Sequence, residues 1–95
     1  REAVRLEPDN PEWHSNLSGM FEERGEFRAA IAQLELALRL SPKHPGGPVW
    51  QYNLAVLFDR GGGRPQAVAH LQTALALDPQ YEAARRALTG MQGVR

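Results

Sequence analysis

The sequence predicts an all-α repeat protein, and three observations carry that expectation. A block of sequence recurs, apolar residues follow helical spacing throughout, and no segment shows sustained two-residue alternation with β-branched residues. Residues 11–44 read PEWHSNLSGMFEERGEFRAAIAQLELALRLSPKH, and residues 48–81 read PVWQYNLAVLFDRGGGRPQAVAHLQTALALDPQY. Laid over each other without gaps, they pair Trp13 with Trp50, Asn16 with Asn53, Leu17 with Leu54 and Phe21 with Phe58. They go on to pair Gly25 with Gly62, Ala30 with Ala67, Leu34 with Leu71, Ala37 with Ala74 and Pro42 with Pro79. A period in this range marks stacked repeats, which present surfaces more often than they carry chemistry.

Each block divides into two helical patterns around a glycine. Trp13, Leu17, Met20 and Phe21 share one helix face, which predicts a helix near 11–24. Gly25 ends it as a residue free to take a positive φ. Phe27, Ala30, Ile31, Leu34, Ala37 and Leu38 make a second apolar stripe over 27–40. Ser41-Pro42 stops that helix, because proline pushes the preceding residue out of the α region. Trp50, Leu54, Leu57 and Phe58 predict a third helix near 48–60. The turn Gly61-Gly62-Gly63 follows, expected to be looser than its counterpart, and Arg64 stands where Phe27 stands in the first block. Ala67, Val68, Leu71, Ala74 and Leu75 predict a fourth helix over 65–77, with Pro65 in its first turn, where a missing N–H costs little. A fifth, near 80–91, rests on Tyr81, Ala84, Leu88 and Met91.

The period also runs backwards. Pro8 precedes Pro42 by 34 residues, and Ala3, Val4 and Leu6 match Ala37, Leu38 and Leu40. Residues 1–8 therefore read as the end of an earlier repeat, and the chain as a slice of a longer protein. From Pro42 to Pro79 the spacing is 37, with the excess in Lys43-His44-Pro45-Gly46-Gly47-Pro48. Three more loop residues cost only a few tenths of a kcal/mol in closure entropy, so the repeat plan should survive them.

Composition narrows the function. Ninety-five residues make one small domain, and 11 basic against 11 acidic residues leave no overall field to attract nucleic acid or an anionic membrane. The absence of cysteine excludes a disulfide framework and a thiolate metal site, and leaves the compartment open. The longest apolar-rich stretch, Ala67 to Leu77, is too short to span a membrane. His14, His44 and His70 lack metal-ligand spacing, the triple glycine is not followed by Gly-Lys-Ser/Thr, and no serine has a His and Asp arrangement around it. Neither an enzyme nor a cofactor is expected.

Leu17, Ser18, Phe21, Gly25, Phe27, Ala30, Ala37 and Pro42, after an early aromatic, resemble the tetratricopeptide repeat, a 34-residue helix–turn–helix unit. Leu54, Ala55, Phe58, Gly62, Ala67, Ala74 and Pro79 carry the same resemblance in the second block. Both tryptophans sit one residue earlier than the family's usual tryptophan, leaving His14 and Gln51 in that place. The resemblance implies about two and a half repeats in a right-handed α-α superhelix, with a concave groove lined by first helices. Carried onto this chain, the groove stripe is Glu12, Ser15, Asn16, Gly19, Glu22 and Glu23, then Val49, Tyr52, Asn53, Val56, Asp59 and Arg60, then Ala83, Arg86 and Ala87.

That stripe makes a protein or peptide the expected partner. Asn16 and Asn53 can each donate to and accept from an extended backbone, or bond within their own repeat. Tyr52 with Val56 and Val49 offers an amphipathic anchor site, Arg60 and Arg86 could meet acidic groups, and Glu12, Ser15 and Glu23 complete the candidate contacts. The three glutamates of the first stripe argue against gripping a C-terminal carboxylate. Two alternatives stand beside this reading: a self-assembly scaffold joined through exposed repeat ends, Ala3, Val4 and Leu6 among them, and a substrate-recruiting segment of a larger enzyme.

Overall fold

The computed structural model describes residues 9–92, so Ala3, Val4, Leu6 and the 1–8 segment lie outside the described residues. Five helices follow one another: α1 Pro11–Glu23, α2 Phe27–Leu40, α3 Gly47–Arg60, α4 Arg64–Leu77 and α5 Glu82–Gln92. Among the described residues there is no strand. The chain divides into two compact units, Arg1–His44 and Pro45–Arg95. In the first, α1 packs on α2; in the second, α3 packs on α4 and α4 on α5.

Asn10 starts α1 by accepting backbone N–H bonds from Glu12 and Trp13 on Oδ1, which satisfies two of the donors a helix start leaves over. Its end is a six-residue glycine turn. The N–H of Gly25 bonds the carbonyl of Glu22 at 2.9 Å, and that of Glu26 bonds Phe21 at 2.9 Å. Gly25 holds φ at +77°, where a side chain would be strained.

The second unit repeats this turn bond for bond. Gly62 (φ +89°) bonds Asp59 at 3.2 Å and Gly63 bonds Phe58 at 2.7 Å. The triple glycine thus closes the same hydrogen bonds as the first turn. Gly63 fits closely, since a Cβ there would lie 3.0 Å from Gln66 Oε1 and 3.2 Å from Phe58 Cδ1, whereas the first turn accommodates Glu26 at the matching place. Arg64 finds its own use: Nε donates to Asp59 Oδ1 at 2.8 Å across the turn.

Both second helices stop alike. Ser41 and Asp78, each before a proline, take extended φ values of −144° and −142°. Their N–H groups still bond Ala37 and Ala74 at 3.0 and 2.8 Å. The Asp78 carbonyl then accepts from Tyr81, and its side chain from Gln80, so α5 begins at Glu82, two residues later than the periodicity indicates.

Small residues lie where the helices meet. Ala30 and Ala37 in the first unit, and Ala55, Ala67, Ala74 and Ala84 in the second, are all fully buried. Leu34, Leu54, Leu57 and Leu71 are the large side chains with almost no exposure. One expectation fails in α1. Met20 is 57% exposed while its counterpart Leu57 is 1% exposed, and α1 buries His14 and Ser18 instead. The face of α1 that meets α2 runs through His14 and Ser18, and Met20 stands off it. Ser18 is satisfied there, with Oγ donating to the Ala30 carbonyl at 2.8 Å.

The two positive-φ glycines yield a direct expectation. Gly25→Ala or Gly62→Ala should cost about 1–2 kcal/mol, because the added Cβ opposes a left-handed backbone. Open space around both positions leaves no steric clash to confuse the reading. Urea unfolding of each single variant measures the loss.

Candidate functional site

The candidate residues fall into the two units. Glu12, Ser15, Asn16 and Glu23 belong to α1 and to the first. Val49, Tyr52, Asn53, Val56 and Arg60 belong to α3, and Arg86 to α5, in the second.

In the first unit, Asn16, Gly19 and Glu23 are exposed, with Asn16 and Glu23 on the side of α1 away from Ser18, while Ser15 and Glu22 are half-buried beside it. Spacing of three and four residues makes them one stripe. Glu12 has a different engagement. Its Oε2 lies 3.1 Å from His44 Nε2, so the first turn of α1 is tied to the loop after α2. Glu12 therefore reads as a loop tie in the structure, and no helical or turn spacing pairs it with a residue 32 positions away.

The second unit gathers more of the stripe. Tyr52, Glu82, Ala83, Arg86 and Ala87 line an open concavity of roughly 610 Å³ between α3 and α5. The phenol ring and two methyl groups form its apolar part. On the rim, Arg86 Nε sits 3.4 Å from Glu82 Oε2, and Arg85 pairs with the other oxygen of the same carboxylate. Exposed pairs of this kind contribute about 0–1 kcal/mol, so Arg86 can exchange Glu82 for another anion at little cost. Asn53 and Val56 are half-buried on α3, and Val49, near its start, is 47% exposed. No hydrogen bond of the Asn16 or Asn53 amide is found among the described residues. Of the two readings of these asparagines, bonding within the repeat is the one the geometry lacks.

Tyr52 is held from behind. Its ring centroid lies 5.5 Å from that of Tyr81 at a 48° tilt, and Tyr81 packs against the buried cluster of Ala55, Ala67, Leu71, Ala74 and Ala84. Sequence reasoning placed Tyr81 in the apolar stripe but missed its contact with Tyr52. Burial first, then the negative charges of an ionised Tyr52 and of Asp78, push the Tyr81 phenol above its ordinary 10.0.

Two further pairs went unread. His14 Nδ1 and Gln33 Oε1 lie 2.6 Å apart, and so do His70 Nδ1 and Gln51 Oε1. The signal was present in the alignment of the two blocks, where His14 falls on Gln51 and Gln33 on His70. Among the described residues no three His, Cys, Asp or Glu side chains converge on a metal position, and no helix is long and apolar enough to cross a membrane. No protein-family model matches the chain, and no curated protein sequence matches it.

The raised phenol has a definite pH consequence. A neutral Tyr81 is favoured in the folded state, so its contribution is complete below about pH 10 and is lost as pH rises through the folded value. Urea midpoints measured from pH 8.5 to 11.5 should fall more steeply for the native chain than for Tyr81→Phe.

Proposed function

We propose that this chain is a protein-interaction module of the tetratricopeptide type, binding an extended peptide or partner segment along the exposed faces of its first helices. The observation that carries the reading is the concavity between α3 and α5. It is lined by Tyr52, Ala83, Arg86 and Ala87, four residues of the stripe that the family resemblance marks as groove-facing. An apolar partner side chain would rest on the Tyr52 ring and the Ala83 and Ala87 methyl groups. Arg86 would meet an acidic or carbonyl oxygen beside it. Asn53 and, in the first unit, Asn16 have amides free to bond a peptide backbone on both edges. The arrangement calls for no cofactor and no reacting group. A superhelical stacking of the repeats is part of the same proposal.

Selection of peptides from a random displayed library on the full chain tests it. Selected peptides should lose at least tenfold in affinity on Tyr52→Ala/Asn53→Ala, with amide shifts centred on Tyr52, Val56, Ala83 and Arg86. Equal binding by the double variant, or loss of self-association in a sedimentation run with peptide binding kept, would contradict the groove and favour the scaffold reading.

A further inference from the structure

The His–Gln contacts recur with their ends exchanged. In the first unit the histidine is on α1 and the glutamine on α2; in the second the glutamine is on α3 and the histidine on α4. The partners are 19 residues apart in both, the same atoms face each other, and the distance is 2.6 Å in both. His14 lies one block length, 37 residues, before Gln51, and Gln33 the same length before His70. What repeats between the blocks is therefore the pair, while neither residue type keeps its place.

The rings are braced differently. His14 is 6% exposed and meets Trp13 edge-on, with centroids 4.8 Å apart at 75°. His70 lies flat on Phe58, with centroids 5.4 Å apart and planes 11° from parallel. Each brace comes from the first helix of the block. With the amide oxygen facing the ring, Nδ1–H donates, and the pair selects that tautomer in both places.

We propose that the His–Gln pair is a latch between the two helices of each block, with interchangeable ends, and that it sets the rotation of the first helix about its own axis. A helix turns about 100° per residue, so a bond fixed at one position fixes the direction of its neighbours. The neighbours are Ser15 and Asn16 after His14, and Tyr52 and Asn53 after Gln51. His14, Gln33, Gln51 and His70 are positioning residues for the two exposed stripes. The latch stands whether or not those stripes bind a peptide; only its use in aiming contacts rests on the proposed groove.

The chain supplies its own control, since each unit uses the arrangement that a swap would create in the other. Full-length Gln33→Leu should lower the folding equilibrium constant roughly tenfold, because a buried ring N–H loses its acceptor. The swap H14Q/Q33H should return it to within about threefold of the native value. Imidazole ¹⁵N shifts should report Nδ1 protonation at His14 in the native chain, its loss in Gln33→Leu, and its return at position 33 in the swap. Asn16 side-chain resonances should move in Gln33→Leu and return in the swap. A swap as damaging as Gln33→Leu, or additive losses for His14→Leu and Gln33→Leu in a double-mutant cycle, would overturn the latch. Unmoved Asn16 resonances alongside a confirmed coupling would overturn the positioning role. Q51H/H70Q repeats the swap test in the second unit should the first-unit variants fail to fold.

Discussion

Close approach of neighbouring helices at alanine positions is the constraint on which each unit depends. Helices come near enough to share backbone contacts only where the facing side chains are a methyl group or less. Ala30 and Ala37 meet that condition in the first unit, and Ala55, Ala67, Ala74 and Ala84 meet it in the second, all without exposed surface. The Ser18 hydroxyl gives a measure of the separation. One Cβ and one oxygen suffice to reach the Ala30 carbonyl of the neighbouring helix at 2.8 Å. Larger residues at these places would part the helices and leave Leu34 and Leu71 without the dense surroundings that dispersion requires.

The same closeness supports the polar and aromatic features above it. A glutamine and a histidine can bridge α1 to α2, or α3 to α4, at 2.6 Å only across a narrow gap. The ladder from Ala84 through Tyr81 to Tyr52 transmits the packing of α4 and α5 to the ring that lines the open concavity. Two glycine turns with matched hydrogen bonds keep the helix pairs antiparallel at short range. Core, turn and candidate site are thus consequences of one packing distance, each reached by a different residue type.

Much of this was legible from residue order. Glycine before an apolar stripe, serine or aspartate before proline, and aromatic-to-leucine spacing located every helix to within two residues. These signals are local: they depend on one residue's φ, a missing N–H, or a period of 3.6. Met20 escaped because periodicity marks a helix as amphipathic without saying how much of the apolar arc a neighbour covers. The Glu12–His44 tie escaped because a surface contact between two side chains has no preferred sequence separation. The His14–Gln33 and Gln51–His70 pairs were written in the repeat alignment, yet testing the histidines only for metal-ligand spacing left their amide partners unread. The stripe expected to line a groove came from family resemblance, and Tyr52, Ala83, Arg86 and Ala87 are the part of it that the structure brings together.

Unfolding of Ala67→Leu tests the packing constraint most directly. Ala67 is fully buried in the cluster that joins α3, α4 and α5, so three added carbon atoms have no space to enter. The account predicts a loss of about 1–3 kcal/mol in urea, with the Tyr52 and Tyr81 ring resonances displaced as the helices separate. Native stability with unmoved tyrosine resonances would show that the helices are not held at a methyl's distance, and would contradict it.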